Sequence, residues 1–441
     1  MRLLLITLTV PLLAQDTLTV RDAARLALEK NQAIAAAEAN VNAAGERVVE
    51  ARSGILPRVS YTESLTRCNN PVYVFGSLLT QHQFGLENFD IGPLNRPHPL
   101  DDFQSQVTLD QPLYDAGHTR NAMRLARLGQ QTSAEEQRRV QMEVLANAAR
   151  AYYDMMLAAE NLKAAEQAVR SAEADVQQAQ AVHEAGMSTD VDVLSIRVHL
   201  AAVNEQRIRR ATDLDVTRAA LNDAIGLPLD TPHTLSTVLQ PSSAPPPALV
   251  DVEKAAAGRP EARAAHLGSA LAETQLSDAR MSLRPTVGFH AAFEGDRQTF
   301  GTRGGANWLA GVSLHWNVFN GFADKSRISE SSYILERAKA NEKRTISEIG
   351  LQVRRALADL QSARQRIEVA QAAVALAEES LRITKNRYEA GLSNVTELLR
   401  NEMASLESHT RYLAAVHDAR VAAVMLELAT GCLSPDSEVL N

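Results

Sequence analysis

The 441-residue sequence is poor in aromatic residues, which make up 4% of the chain although 45% of it is hydrophobic. That share is low for a compact globular core of this size. Alanine-rich runs mixed with Gln, Glu and Arg fill much of the chain instead. This composition favours long helices that pack closely through small side chains.

Cysteine is also scarce, and acidic residues outnumber basic ones. Cys68 and Cys432 are the two cysteines, and the net charge is −8. A single pair is not a disulfide framework and matches no metal spacing. Because phosphate contacts require clustered Lys and Arg, we expect no nucleic-acid partner.

Motifs of catalysis are missing as well. No glycine-rich phosphate loop follows a predicted strand, and no Ser/His/Asp set occurs in a known context. His82, His98 and His118 are scattered without metal-ligand spacing, which is typical of ordinary surface or lumen residues. We therefore expect a protein that is not an enzyme and has no cofactor and no metal site.

Long apolar runs are absent too. Residues 3–13 are apolar, follow Arg2 and precede Ala14, so we predict a signal peptide over residues 1–14. This run is too short to span a membrane, and no later segment offers ~20 continuous apolar residues. The sequence therefore predicts export but no transmembrane helix.

Proline and glycine divide the rest of the chain. Four stretches have no proline and at most one glycine: 118–185, 187–225, 322–390 and 392–430. These stretches predict helices of roughly 68, 39, 69 and 39 residues, and the two longer helices would each be about 100 Å long. Helices of that length need long partners beside them.

The two halves of the chain are copies. A shift of 205 residues places Arg150 on Arg355, Asp154 on Asp359, Val169 on Val374, Glu173 on Glu378, Gly186 on Gly391, Leu194 on Leu399 and Gly226 on Gly431. This tandem duplication predicts structural repeats over residues 15–226 and 251–431. Residues 227–250, rich in Pro, Ser and Thr, form a linker, and residues 432–441 form a C-terminal tail.

Each repeat carries two segments of alternating polarity, which predict strands over 57–66 and 103–114, and over 285–294 and 307–318. The intervening positions are mainly Ser, Thr, Gln, Asn, His and Gly, which suit a wet interior. A long Asn/Pro/Gly-rich connection over 66–102 separates the first two strands. The residues expected to share an apolar face are Val59, Tyr61, Val107, Leu109, Gln111, Leu113, Val287, Phe289, Ala291, Phe293, Trp308, Ala310, Val312, Leu314, Trp316 and Val318.

Both tryptophans, Trp308 and Trp316, fall on that face of the last strand. Eight residues of strand cover about 27 Å at ~3.4 Å per residue. An outer-membrane barrel has an apolar band ~25 Å tall with aromatics at both edges. We interpret the pair as membrane-interface aromatics in contact with outer-membrane lipid. The alternative is a pair of core tryptophans in a small soluble sheet.

Four strands cannot close a barrel, and an open edge cannot lie in lipid, so the chain must oligomerise. The duplicated units, the turn over residues 388–393 (Tyr-Glu-Ala-Gly-Leu-Ser) and the helix end over 221–226 (Leu-Asn-Asp-Ala-Ile-Gly) resemble the TolC-like outer-membrane efflux family. The resemblance covers essentially the whole mature chain. Asn31-Gln32 departs from the family's Asn-Pro, whereas Arg259-Pro260-Glu261 keeps the proline.

The resemblance implies a mainly α fold with a membrane β-barrel. Three protomers would build a twelve-stranded barrel that continues into a twelve-helix periplasmic α-barrel with a mixed α/β belt. The implied function is a passive exit duct in the cell outer membrane, serving a tripartite efflux or type I secretion system. The implied partners are a homotrimer, a periplasmic membrane-fusion adaptor and an inner-membrane pump of RND or ABC type. The alternative is a periplasmic coiled-coil scaffold without transport activity, which leaves the duplicated strands unexplained.

The turns between the long helices would form adaptor-binding tips. The predicted tip residues are Glu184, Ala185, Gly186, Met187, Ser188, Glu389, Ala390, Gly391, Leu392 and Ser393. Each glycine fits the left-handed position that ends a helix. Thr189 and Asn394 suit the next N-cap, with Asp192 and Glu397 three residues on.

The periplasmic gate residues implied by the resemblance are Asp192, Tyr388, Glu397 and Arg400. The family has an acidic ring at the position of Glu397 and a Tyr-to-Asp contact at Tyr388 and Asp192. Arg400 stands where a second ring carboxylate would fall, and Ser393 stands where the family has a tip arginine. A capping role for Asp192 and Glu397 remains open beside the gate role.

Overall fold

The computed structural model describes residues 17–186, 188–241, 245, 247–302 and 304–440. The predicted signal peptide lies outside the described residues. The helices are α1 (Val20–Lys30), α2 (Gln32–Arg52), α3 (Pro71–Thr80), α4 (Ile91–Asn95), α5 (His118–Glu184), α6 (Asp190–Ala224), α7 (Leu249–Ala256), α8 (Pro260–Met281), α9 (Ala323–Glu389) and α10 (Val395–Thr430). The strands are β1 (Thr17–Leu18), β2 (Arg58–Cys68), β3 (Leu100–Tyr114), β4 (Thr234–Leu235), β5 (Thr286–Arg297) and β6 (Gly305–His315).

The four predicted long helices are present, and their bounds repeat. Helices α5 and α9 each have 67 residues, and they begin and end 205 positions apart. Helices α6 and α10 have 35 and 36 residues. Gly226 and Gly431 follow them with φ of +74° and +73°, a left-handed conformation that ends a helix and favours glycine. The predicted internal duplication is confirmed.

The chain divides into two compact units, and each takes segments from both repeats. The helical unit contains the described residues up to Asn40, Ala134–Ala264 and those from Lys343 onward. The sheet unit contains Val41–Ser133 and Ala265–Glu342. The repeats are therefore units of sequence, whereas the compact units combine equivalent parts of both.

The core of the helical unit uses small residues around a few large ones. Ala23, Ala24 and Ala27 of α1 are fully buried, and Tyr152 and Tyr153 of α5 are 0% and 2% exposed. The small residues allow close backbone approach around the two buried rings.

Hydrogen bonds satisfy both buried hydroxyls. Tyr152 donates to the Leu18 carbonyl at 2.8 Å, and Tyr153 donates to the Val439 carbonyl at 3.0 Å. Leu18 belongs to β1, which pairs in parallel with β4 inside the predicted linker. Two-residue strands are too short to produce a recognisable period, so the sequence did not predict this pairing.

The proline expected after Asn31 is replaced without loss of the helix start. The Asn31 side chain accepts from the Ala33 N–H at 2.9 Å and donates to the Ala224 carbonyl at 2.9 Å. It therefore caps α2 and ties that helix to the end of α6.

The sheet unit contains an antiparallel sheet of order β2-β3-β5-β6. Within the described residues, β2 and β6 are the edge strands and each pairs on one side only. The predicted alternation is confirmed, because the register places Tyr61, Val107, Phe293 and Trp308 side by side on one face. We call this the apolar face. Towards the β2–β3 turn it also carries an ion pair of Arg297 and Glu63, at 2.6 Å.

The opposite face is polar. Thr62, Gln106, Glu294 and Asn307 form one row across all four strands. Hydrogen bonds link neighbouring strands, for example His290 with Asp110 at 2.7 Å. Side chains that alternate in this way suit a sheet with lipid on one side and water on the other.

Two details differ from prediction. Strand β6 ends at His315, which pairs with Thr286, so the predicted strand over 307–318 is too long at its end. The preceding Pro285 has no N–H to continue the ladder. The connection predicted over 66–102 is shorter at both ends, because β2 runs to Cys68 and β3 begins at Leu100, and it contains α3 and α4. No helix within the described ranges is long and apolar enough to cross a membrane.

Candidate functional site: helical tips and gate

The first tip joins α5 to α6. The Gly186 N–H donates to the His183 carbonyl at 2.8 Å, and His183 Nδ1 donates to the Ser188 carbonyl at 3.2 Å. Gly186 has φ of +77°, a left-handed conformation that non-glycine residues adopt at a cost. Glu184, Ala185 and Gly186 are exposed, Ser188 is half-buried, and Met187 lies outside the described residues.

The second tip, between α9 and α10, has the same backbone path. Gly391 has φ of +72°, and its N–H donates to the Tyr388 carbonyl at 2.9 Å. The Leu392 N–H donates to the Arg387 carbonyl at 2.8 Å, which completes a Schellman-type helix end. Glu389, Ala390, Gly391 and Leu392 are exposed, and Ser393 is half-buried.

Both tips have open space around their glycines. A Cβ atom added at Gly186 or Gly391 would meet no atom within 4 Å. The protomer therefore leaves the backbone of each tip accessible to a partner at close range.

Asp192 caps α6 in this protomer. Its carboxylate accepts from the Thr189 N–H at 3.1 Å and from the Thr189 hydroxyl at 2.9 Å. The Asp192 N–H is 3.3 Å from the Thr189 Oγ1. This reciprocal pair is a capping box, as the sequence predicted for this position.

Glu397 behaves differently from Asp192. Its N–H donates to the Asn394 side chain at 2.9 Å, but its carboxylate accepts from the Ser393 hydroxyl rather than from the cap backbone. Ser393, which replaces the family's tip arginine, is therefore the partner of Glu397. Glu397 and Arg400 are both exposed on the first turns of α10.

Tyr388 packs in an apolar cluster directly above the tips. Ala179, Ile196 and Val395 are its buried members, so α5, α6 and α10 all contribute. Burial, and then the negative charges of Asp192 and Asp175, raise the pKa of Tyr388. Within the described part of the chain, no hydrogen bond joins the Tyr388 hydroxyl to Asp192, so a contact between these two residues stays a prediction.

A second group above the tips was not predicted. Asp175, His199, Lys385 and Glu402, which we call the four-helix charge cluster, come one from each long helix. Lys385 Nζ lies 3.3 Å from Asp175 Oδ1, and His199 Nε2 lies 3.4 Å from Glu402 Oε2. The side chains of Asp175 and Glu402 are 3% and 12% exposed. Buried charges of this kind are costly unless they are paired.

One signal in the sequence could have identified the cluster. The buried stripe of α5 runs through Val169, Ala172 and Ala179, and Asp175 lies on the same stripe at helical spacing. An acid on a stripe of small apolar residues requires a partner from another helix. The identity of that partner cannot be read from spacing, since Lys385 is 210 residues away.

The two tryptophans that the sequence predicts at the membrane interface occupy different settings. Trp308 lies within β6 on the apolar face and is 79% exposed. Trp316 follows the strand, is 55% exposed, and its indole N–H donates to the Leu283 carbonyl at 3.2 Å. Where residues are described, no group of three or more His, Cys, Asp or Glu side chains is arranged to hold a metal ion.

A family model matches most of the chain. The profile of the outer membrane efflux protein family matches residues 23–227 and 252–432. Protein CyaE of Bordetella pertussis is 29% identical over 337 residues, which cover 74% of this chain and 70% of that protein.

Solved structures share the fold. The crystal structure of CusC superposes with a TM-score of 0.78 at 17% identity, over 93% of this chain and 92% of that chain. The outer membrane protein VceC of Vibrio cholerae gives a TM-score of 0.76 at 16% identity, over 93% of this chain and 96% of that chain.

Proposed function

Because the chain belongs to the outer membrane efflux protein family, we propose that three copies of it assemble into a passive exit duct. The predicted resemblance to TolC-like channels is confirmed, as is the mainly α fold with an internal repeat. The protein is an outer-membrane efflux channel protein that extends into the periplasm. A family of transport conduits agrees with the expectation that the chain is not an enzyme.

The main support for this proposal comes from the four-stranded sheet. Its two faces differ in polarity, and its edge strands β2 and β6 present unpaired backbone groups within the described residues. Unpaired edges cannot remain in lipid, because each unsatisfied N–H or C=O costs several kcal/mol there. Pairing of β6 of one copy with β2 of the next removes all the edges, and three copies give twelve strands.

The long helices would then continue the duct through the periplasm. Each copy supplies four helices, so three copies supply twelve. The tips at Gly186 and Gly391 would receive a periplasmic membrane-fusion adaptor, which their open surroundings permit. An RND or ABC pump in the inner membrane would supply the energy, since the chain has no motif for nucleotide chemistry.

Gel electrophoresis of outer-membrane extracts tests the assembly. We expect a band of three times the protomer mass in unheated detergent samples, and a single protomer band after boiling. Cysteines placed on β2 and β6, in a background where Cys68 and Cys432 are serine, should form disulfides between protomers. A chain that runs as a monomer before heating, with no edge-to-edge disulfide, would refute the trimeric duct and favour the periplasmic scaffold.

A further inference from the structure

The connection between β2 and β3 folds back over the sheet. We call residues 69–99, which contain α3 and α4, the inward segment. Gln81 at the end of α3 is 2% exposed, and its amide donates to Asp102 Oδ1 at 2.9 Å and to the Asp101 carbonyl at 3.1 Å. Ser77 donates to the other Asp102 oxygen at 3.2 Å. These contacts anchor α3 to the start of β3.

The anchor lies on the polar face of the sheet. Asp102, Gln104 and Gln106 occupy every second position of β3 and therefore lie on one face of the sheet. Gln106 pairs with Glu294, and Glu294 pairs with Asn307 on the same face. Asn307 donates to the Thr80 carbonyl at 3.1 Å. Gly305 permits this approach, because a Cβ atom there would collide with the Thr80 carbonyl. Helix α3 therefore lies on the side of the sheet that would line a lumen.

The side of α3 that points away from the sheet is apolar. Val74, Ser77 and Gln81 share the face turned to the sheet. Val72 and Leu79 lie about opposite to them at ~100° per residue, and Tyr73 lies on the flank of the helix, about 100° from Val72. Val72 is 79% exposed, Tyr73 is 67% exposed and Leu79 is 48% exposed. Apolar side chains on a helix inside a watery lumen would be left without a partner in a single copy.

The dimensions of the barrel indicate which surface covers the exposed apolar side chains of α3. Strands ~4.8 Å apart and tilted by ~40° give a closed twelve-stranded barrel a backbone radius of roughly 12 Å. An α-helix with its side chains is ~10–12 Å across. A helix that lies on the inner wall therefore reaches the pore axis, where it meets its counterparts from the other two copies.

The topology gives the end of the barrel at which this happens. Strands β2 and β5 begin just after α2 and α8, and β3 and β6 end just before α5 and α9. The β2–β3 connection therefore lies at the end of the sheet away from the helices, which is the outer end if the helices enter the periplasm.

We propose that the α3 helices of three copies meet at the pore axis through Val72 and Leu79, with Tyr73 at the edge of the contact, and close the outer mouth of the channel. This outer gate is separate from the periplasmic tips, and the inference rests on the proposed trimeric duct. Opening requires release of the Gln81–Asp102 contact or movement of α3 against the wall.

Disulfide trapping tests the contact at the axis. Val72→Cys and Leu79→Cys are made in a background with Cys68→Ser and Cys432→Ser, because both native thiols are free. Oxidation should convert protomers of each variant into disulfide-linked dimers on a non-reducing gel. Val312→Cys is the matched control: it is 66% exposed, lies on the apolar face of the same sheet unit, and should remain monomeric.

Access to the lumen gives a second readout. Ser313→Cys lies on the polar face, opposite Gly288, in the part of β6 remote from the inward segment. A bulky membrane-impermeant maleimide added to intact cells should label it slowly. Labelling should be several-fold faster when Val72, Tyr73 and Leu79 are all replaced by serine.

The outcomes separate this inference from the proposed function. A trimer in unheated samples, with no Val72 or Leu79 disulfide and unchanged labelling of Ser313→Cys, would overturn the outer gate and leave the duct intact. Absence of the trimer would overturn the duct and the gate together. Dimers from both axial variants, with faster labelling in the triple variant, are the expected result.

Discussion

The four-helix charge cluster predicts a pH-dependent stability that one substitution should remove. Asp175 Oδ2 is buried, and no donor among the described residues reaches it. Its neighbour is the carboxylate of Glu402, so a proton on Asp175 would satisfy both groups. Burial, and then the proximity of Glu402, raise the pKa of Asp175 from 3.8 to about 6. Burial opposes ionisation of Glu402 too, but its hydrogen bonds with His199 and Asp175 outweigh burial and lower its pKa.

The sign follows from linkage. A carboxyl group whose pKa is raised in the folded state stabilises the fold fully below its unfolded pKa. That stability is lost as pH rises towards the folded pKa. From 3.8 to about 6 the loss amounts to about 3 kcal/mol, at about 1.4 kcal/mol per pH unit. About 1 kcal/mol of this loss falls between pH 5 and 7.5. Because the pKa of Glu402 is lowered, most of its opposite contribution falls below this pH range.

Asp175→Asn should abolish that loss, because the amide stays neutral at every pH. As pH rises from 5 to 7.5, the variant should gain about 1 kcal/mol of stability relative to the wild type. The assay is thermal loss of helical circular dichroism at both pH values. Glu173→Gln, an exposed acid on the same helix, is the control and should leave the pH dependence unchanged. If Asp175→Asn destabilises the protein equally at both pH values, Asp175 is ionised throughout and its pairing with Lys385 dominates.

Three further sets of variants test the tips, the gate and the membrane face. Gly186→Leu and Gly391→Leu should each cost only ~1–2 kcal/mol of backbone strain, since the space around both glycines is open. Both variants should nevertheless abolish export while the trimers stay intact. Gly391→Asn is the control for strain, because asparagine tolerates the same φ. Normal export from both leucine variants would exclude the tips as the docking surface. Glu397→Gln should weaken cation selectivity and block by trivalent cations in bilayer recordings if three carboxylates line the pore. Unchanged selectivity with a lower melting temperature would make Glu397 a turn residue only. In variants that retain Trp308 or Trp316 alone, lipid-borne quenchers should reach the indole, and a shielded Trp308 would refute the face assignment.

The long helices could be predicted because their signals are local. Proline is absent for dozens of residues, and Gly186, Gly391 and Gly431 lie where each helix must end. The duplication added a second check, because two independent copies gave the same bounds. The faces of the strands could also be predicted from the alternation of apolar and polar residues. A register error of one residue would move every apolar side chain to the other face, so the pattern allows one assignment.

The inward segment could not be predicted, because its signals conflict. Residues 71–79 include valine, tyrosine and phenylalanine, which favour strands, yet they form α3. Pro71 and the Asn70 cap, whose side chain accepts from the Val72 N–H at 3.0 Å, favour the helix start. Contacts with Asp102 and Asn307 then hold the helix on the sheet, and these partners lie on other strands. Only the tertiary structure shows that the segment turns inward.

The two helical hairpins of each copy share a backbone but differ in their buried side chains. A shift of 205 residues places Asp175 on Ser380, His199 on Ala404, Gln180 on Lys385 and Arg197 on Glu402. No member of the four-helix charge cluster has a like-charged counterpart, although the helix bounds of the two repeats agree almost to the residue. Backbone geometry therefore depends on features that both copies retain, namely the glycine turns and the N-caps. The charge cluster depends on the difference between the copies, because two identical hairpins would bring like groups together. A chain with two identical hairpins should accordingly keep its helices and tips but lose the paired charges that join all four helices.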